Sequence, residues 1–363
     1  MAKRSHTVTG LEIEPTAVHA ASVSVSGTIR IEHAAIAPLD PGVVRDGEVQ
    51  DPLALAEALR ELFAQHKELD KRVRFGVANA KIVVRLLELP PIAETKELDA
   101  AVRFQAQDAI PMPIESAVLD WHPLDVVETE AGPRQRVLLV AARRDMVEKV
   151  LMAAQGAGLK PEGVDLSAFA MVRALHRDEP AVDPELPAGA TSVLYLAVGG
   201  LTNLAVAQGT TCLFTRVLGG GLEALAVELA ERRQIALGEA RAALTRAGLE
   251  GDLDVDDPDV DLLLDARAAL DDGVTRIASD VRNTLDFHVM QDGAAAPVGR
   301  VVLAGEAATL PGFAAALGLQ LGLPVEPAIV AGAPLGLEAA TLAIAAGLGV
   351  TEAPADARKG GAR

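Results

Sequence analysis

The chain has 363 residues, 50% of them hydrophobic and 23% charged, and a formal charge of −18. That length suits two or three domains, and the composition is that of a folded protein rather than a disordered one. The single cysteine, Cys212, excludes a disulfide framework and a multi-cysteine metal site within the chain, and the acidic balance argues against non-specific nucleic-acid binding, which needs clustered Lys and Arg.

Aromatic residues are scarce (seven Phe, one Trp, one Tyr), so Ala, Leu and Val must build the core. Cys212 reads as a small buried apolar residue. The lack of bridges suits a reducing cytoplasm. No secretory signal is legible after the basic Met1–His6, because Glu12 and Glu14 interrupt the apolar run. The most apolar stretch, Pro334 to Val350, is short and carries Glu338, so it reads as a buried helix rather than a bilayer span. A cytoplasmic protein without direct membrane insertion is expected.

The chain opens with three alternating segments: Val8 to Ile13, Val18 to Val25 and Ile29 to Ala35, with a turn at Ser26-Gly27. A helix is predicted from Asp51 to His66, started by Asp51-Pro52. Strands follow at Val73 to Ala78 and Ile82 to Leu89, then a helix over Thr95 to Ala109 stopped by Pro111 and Pro113. Ala117 to Val127 and Arg136 to Ala142 read as strands around a polar hairpin, and Arg144 to Gly156 as a helix. Gly158 and Pro161 read as breakers, and Asp165 to His176 as a helix. Residues 80–164 are thus an inserted α+β subdomain in a first lobe that comprises 1–79 and 165–190, the last part ending in an acidic, proline-rich linker.

The opening pattern then returns. Val193 to Val198, Asn203 to Ala207 and Thr211 to Val217 form a second three-strand meander, followed by a helix over Gly221 to Arg233. A duplicated half is expected, with 191–350 as the second lobe. Within it, 234–298 reads as a helical subdomain with an acidic loop and a long helix from about Val260 to Gln291. From Leu249 to Asp272 ten acidic residues face one Arg, a net of −9 and half of the whole excess. Val301 to Ala304 reads as a buried strand, and Pro311 to Leu321 and Leu335 to Leu348 as helices; 351–363 reads as a disordered tail.

A duplicated β-β-β-α chain suggests two lobes around a cleft, with glycine turns that present backbone N–H groups to phosphates. The first turn is Gly10-Leu11-Glu12-Ile13-Glu14-Pro15, the second Ala197-Val198-Gly199-Gly200-Leu201-Thr202-Asn203, and the late strand ends in Ala304-Gly305-Glu306-Ala307. Gly219-Gly220-Gly221 precedes a helix N-terminus, a position that favours anions.

Further stretches carry a resemblance by their order and spacing. They are Asp46-Gly47-Glu48-Val49, Val84 to Pro90, Ala101 to Gln107 with Ile110-Pro111-Met112-Pro113, Leu138 to Arg143, Ala157 to Pro161, Leu213 to Arg216, Arg282 to Phe287 and Leu310 to Phe313. Together they resemble the PilM family of type IV pilus assembly proteins across nearly all of residues 7–350. The resemblance implies a duplicated actin-like (ribonuclease H-like) two-lobed α/β fold with an inserted α+β subdomain, akin to the division protein FtsA. It implies an ATP–magnesium site, with Glu12, Thr16, Gly199, Gly200, Thr202, Asn203, Gly219, Gly220 and Gly305 as its residual positions. It also implies a cytoplasmic scaffold at the inner membrane that binds the cytosolic N-terminal peptide of PilN, a single-span protein, and meets the platform protein and motor ATPases. Self-association is left open. The partner groove is expected near Val83, Val84, Leu86, Leu87, Leu89, Leu166 and Phe169.

The phosphate turns depart from the family pattern. Glu14 stands where a glycine should approach phosphate, Pro15 has no N–H to donate, Ala197 replaces an acid, and Glu306 and Ala307 crowd the third turn. Glu12 could still reach a metal-bound water. Read alone, Glu12 and Glu14 are two solvated acids at a strand end. Hydrolysis is not expected and nucleotide binding is expected to be weak or lost. An active ATPase or phosphotransferase and an FtsA-like division protein are the alternatives, and 351–363 lacks the apolar face a membrane anchor needs.

Other chemistry is thin. Asp252, Asp254 and Asp256 resemble a calcium loop, but Asp257 and Leu263 stand where it needs Gly and Glu, so a solvated loop is expected. The seven histidines show no metal-ligand spacing and no Ser-His-Asp set is nominated. No catalytic or metal residue is assigned. Trp121 and Phe104 read as core.

Overall fold

The computed structural model describes residues 8–26, 28–129, 132–177, 191–291 and 296–350. The expected linker over 180–190, the tail over 351–363 and the glycine of the Ser26-Gly27 turn lie outside the described residues.

The first lobe begins with an antiparallel meander of β1 (Thr9–Ile13), β2 (Ala17–Ser26) and β3 (Thr28–Pro38). A small hairpin, β4 (Val44–Arg45) and β5 (Glu48–Val49), turns at Asp46 and Gly47, both with positive φ. Helix α1 (Pro52–Gln65) follows. The Asp51 carboxylate accepts the N–H groups of Leu53 and Ala54 at 3.0 Å, and Pro52 occupies the first turn. β6 (Arg72–Val77) then runs parallel to β1.

The inserted subdomain is a three-stranded sheet in the order β7-β9-β8, made of β7 (Val83–Leu89), β8 (Ala117–Thr129) and β9 (Gly132–Arg143). Helix α2 (Thr95–Ala109) covers one face, setting Leu98, Val102 and Ala106 on Val83, Leu87, Val137 and Leu139. Phe104 corrects the sequence reading: it is 70% exposed. It lies two residues from Val102, about 200° round the helix, so it points away from the sheet. Trp121 is half-buried, and its indole N–H donates to Asp99 of α2 at 2.8 Å.

Helix α3 (Arg144–Gly156) packs on α1 in the first lobe's core, and β10 (Lys160–Leu166) pairs in parallel with β6. The sheet therefore reads β10-β6-β1-β2-β3. The breaker reading of 158–161 and the helix drawn from Asp165 need correction. Gly158 makes a turn with φ +72°, and Pro161 sits in an edge strand, where a missing N–H is tolerated. Helix α4 starts only at Ser167 (Ser167–Leu175). An insert ending at 164 would thus take in a strand that belongs to the first lobe's sheet.

The second lobe repeats the plan. β11 (Ser192–Val198), β12 (Thr202–Gln208) and β13 (Thr211–Leu218) form a meander, then α5 (Leu222–Arg233), α6 (Leu237–Ala247) and the long α7 (Val260–Gln291). β14 (Val298–Ala304), α8 (Phe313–Leu321) and β15 (Val325–Pro327) complete a sheet of order β13-β12-β11-β14-β15. Three antiparallel strands with two parallel strands beside the first is also the order of the first lobe, so the fold is duplicated. Cys212 is buried in β13, and burial pushes its thiol up to about 12.

The last helix, α9 (Ala343–Gly349), is half as long as the expected Leu335 to Leu348. Gly336 takes a φ of +83°, which ends helical geometry, and Leu335 is fully exposed. α9 packs on β1, β2 and β6, α4 on β11 and β12, and the two helices touch. Their contact needs glycine. A Cβ at Gly347 would lie 1.9 Å from the Ala170 carbonyl oxygen, and one at Gly10 would lie 2.0 Å from that of Ala345. Gly347→Val should therefore cost about 3 kcal/mol or more, by forcing two helices apart. Gly238→Ala, in an exposed helical position with open space, should gain up to about 1 kcal/mol. Urea denaturation of both variants checks this, with the two midpoints moving in opposite directions.

Candidate functional site

Two concave regions are built by the lobes. The first lies where the β1–β2 turn meets the β11–β12 turn. Glu14 Oε2 accepts the Gly200 N–H at 2.8 Å, one lobe bonding to the other. A Cβ at Gly200 would lie 2.4 Å from Pro15 Cδ, so only glycine fits beneath that turn. The Gly199 carbonyl accepts the Leu222 N–H at 2.8 Å and so caps the first turn of α5. Thr202 Oγ1 donates to the Gly220 carbonyl at 2.9 Å, holding the glycine run against β12. Gly305 has a φ of +80° and packs on the Val198 backbone.

A cavity of about 290 Å³ extends from this junction, lined by Thr16, Gly200, Glu223, Arg241, Glu306 and neighbours. Arg241 holds Glu223 in a two-pronged ion pair. Thr16 Oγ1 is buried and has no hydrogen-bond partner among the described residues. Of the nine expected nucleotide positions, Thr16 and Gly200 line this cavity. Glu12 is buried on β1, with Oε2 at 3.3 Å from His19 Nδ1. Asn203 is buried facing a separate small cavity beside Leu166 and Val84. The solvated-acid reading of Glu12 and Glu14 is corrected: Glu12 is buried, and Glu14 is half-buried against the β11–β12 turn.

The electrostatics follow from that enclosure. Burial, with the charges of Glu12 and Glu306, pushes the Glu14 carboxyl up to about 8 from an ordinary 4.5, against the pull of His19 and the Gly200 N–H. For His19, burial opposes the charged ring. The hydrogen bond that the ring donates to Glu12 and the charges of Glu12, Glu14 and Glu306 outweigh it, so its pKa is raised. A Glu whose folded pKa is raised holds a proton that the unfolded chain has lost, so stability falls as pH climbs from about 4.5 to about 8. A raised His contributes stability at low pH and loses it as pH rises through its folded value, the same direction. Glu14→Gln should therefore raise the denaturant midpoint relative to the parent at pH 9 and change it little at pH 5.

The second region is a groove of about 330 Å³ between the inserted sheet and the first lobe. Strand periodicity assigns its walls. On β9, Val137, Leu139 and Ala141 face α2, whereas Leu138, Val140 and Ala142 face the groove. Their cross-strand partners on β8 are His122, Asp120 and Val118, and all three line it. Val164, Asp165, Leu166 and Phe169 form the opposite wall, from β10 and α4. Asp165 is paired with Arg173 at 2.8 Å, while Asp120 forms no ion pair among the described residues.

Of the seven expected groove residues, Leu166 and Phe169 line this groove. Val84 and Leu86 pair with Val140 and Leu138 and so share the sheet face that the groove uses. Val83, Leu87 and Leu89 are buried in the core under α2. The sequence reading missed the β8 and β9 wall. Its signal was the run Leu138 to Ala142, apolar on both faces in a sheet with only one covering helix.

The family model for the type IV pilus assembly protein PilM matches residues 10–331. The chain belongs to the PilM family. A chain in a solved PilM-PilN type IV pilus biogenesis complex is 26% identical, with a TM-score of 0.74, over 94% of this chain and 97% of that one. Ethanolamine utilization protein EutJ from Carboxydothermus hydrogenoformans is 15% identical, with a TM-score of 0.52, over 96% of this chain and 91% of that one. MreB5 of Spiroplasma citri bound to AMPPNP is 12% identical, with a TM-score of 0.52, over 95% of each. These two share the actin-like fold alone. Among the described residues, no helix is long and apolar enough to cross a membrane.

Proposed function

We propose that the protein is a scaffold of the type IV pilus assembly platform that takes the cytosolic N-terminal peptide of a PilN-like membrane protein in the groove between β8–β9 and β10–α4. The observation that carries this is the uncovered apolar face of the inserted sheet, set opposite Leu166 and Phe169. The likeness to a chain solved in a PilM-PilN complex supports it. An extended segment with alternate apolar side chains suits such a wall, and a cation beside Asp120 would complement its charge. The protein would sit at the inner membrane through this partner and meet the platform protein and motor ATPases there.

The glycine turns support a scaffold over an ATPase. The residues present do not fit a triphosphate: the Gly200 N–H is taken by Glu14, and Pro15 fills the space beneath it. An anion there would meet the charges of Glu12 and Glu306. Arg241, the cation lining the cavity, is held by Glu223. We infer a degenerate nucleotide site, and no step of catalysis is derived through ATP or magnesium.

Fluorescence anisotropy with a labelled N-terminal peptide of the PilN-like protein tests the groove. Leu138→Asp should weaken binding about tenfold or more by placing a charge on the apolar wall. Phe104→Ser, on the outer face of α2, should leave it unchanged. Equal binding by parent and Leu138→Asp would place the peptide elsewhere.

A further inference from the structure

The largest of these cavities, about 690 Å³, lies on neither surface described above. It opens between β7 with Pro111-Met112 on one side and β13 with the last turns of α7 on the other. Its charge is unusual for a chain at −18: Lys81, Arg85, Arg143 and Arg216 line it, and no acid does. Lys81 is held by Glu48 and Arg143 by Asp145. Among the described residues, Arg85 donates to the Val84 carbonyl and Arg216 reaches Thr284 Oγ1 at 3.4 Å. Two guanidinium groups thus face the cavity with no carboxylate partner among the described residues. Beside them lie Met112, Phe214 and Phe287, the last exposed.

The chain carries the complementary shape. Asp254-Val255-Asp256 forms the tip of the acidic loop before α7, with Val255 81% exposed between the two acids. The loop is preformed. Arg267 donates to the carbonyl oxygens of Ala247, Gly248 and Gly251, and Arg246 holds Asp257 and Asp259. That leaves Asp254 and Asp256 without an ion pair among the described residues, with Asp254 Oδ1 accepting the Asp256 N–H at 3.0 Å, so an exposed valine flanked by two carboxylates is complementary in charge to an apolar pocket flanked by Arg85 and Arg216. Binding a rigid loop carries little ordering cost.

The loop cannot reach its own cavity. It precedes Val260 at the start of α7, and the cavity is lined by Phe287 of the same helix, 27 residues and roughly 40 Å further along at 1.5 Å per residue. We propose that this cavity is a self-association site that takes the Asp254-Val255-Asp256 loop tip of a second copy of this chain. The pairing is made from unlike surfaces at opposite ends of one helix, and Arg–carboxylate contacts dominate it. It shares no lining residue with the peptide groove.

Sedimentation velocity of the full chain tests it. The parent should sediment faster than a monomer in about 0.05 M salt and lose that association by about 0.5 M, as screening of exposed charges requires. Arg85→Glu with Arg216→Glu, and separately Asp254→Arg with Asp256→Arg, should each raise the dissociation constant at least tenfold while circular dichroism stays unchanged. Mixing the cavity variant with the loop variant should restore a heterodimer, because the first still carries an intact loop and the second an intact cavity. A monomeric parent at low salt, either variant assembling like the parent, or a mixture that stays monomeric would overturn the proposal.

Discussion

The contact between α4 and α9 sets the geometry on which the rest of the molecule depends. The two helices lie between two five-stranded sheets, one helix against each. They approach closely because Gly347 presses its backbone onto Ala170 and Gly10 lets β1 lie against Ala345. Alanine and glycine do here what aromatic packing does in richer cores: they shorten distances rather than fill volume. The shared core joins Ala168 and Met171 of α4 to Tyr195 and Ala205 of the second sheet, and Leu348 of α9 to Ala21 and Val23 of the first. With the sheets fixed, the β1–β2 and β11–β12 turns are brought face to face, and the β10–α4 corner is set opposite the inserted sheet.

Each concave surface takes a different chemistry from that frame. At the turns, a carboxylate is brought onto a backbone amide inside a region of like charge. The Glu14–Gly200 bond links the lobes, and it is sensitive to protonation because burial and two neighbouring glutamates oppose the ionised form. At the groove, by contrast, charge is sparse and the walls are aliphatic. A sheet face left without a helix is a standing cost in exposed apolar area, and a partner segment that covers it recovers that free energy.

Much of this was legible in the residues. The two meanders, the duplicated plan and α1 with its Asp51 cap follow from alternation and capping chemistry. The resemblance to pilus assembly proteins rested on motif order, and the family match over 10–331 bears it out. What the chain did not reveal is long-range. β10 was hidden because Gly158 and Pro161 read as breakers, yet Gly158 only turns the chain ahead of the strand and an edge strand tolerates Pro161. α9 is shorter than its apolar run suggests because residues 334–342 form turns rather than helix, with Gly336 at a φ of +83°. The groove residues depended on which face of β9 was left uncovered, a property of the tertiary arrangement rather than of the strand. Glu14 read as a solvated acid because nothing local shows that Gly200, 186 residues away, will donate to it.

Where the peptide of the PilN-like protein binds decides between the groove and the glycine turns. Hydrogen–deuterium exchange of the full chain, with and without the cytosolic N-terminal peptide of the PilN-like protein, measures this by segment. Slowed exchange over 118–122 and 164–169, with 14–16 and 199–201 unchanged, is the predicted result. Protection confined to the glycine turns, with the groove strands exchanging as before, would contradict it.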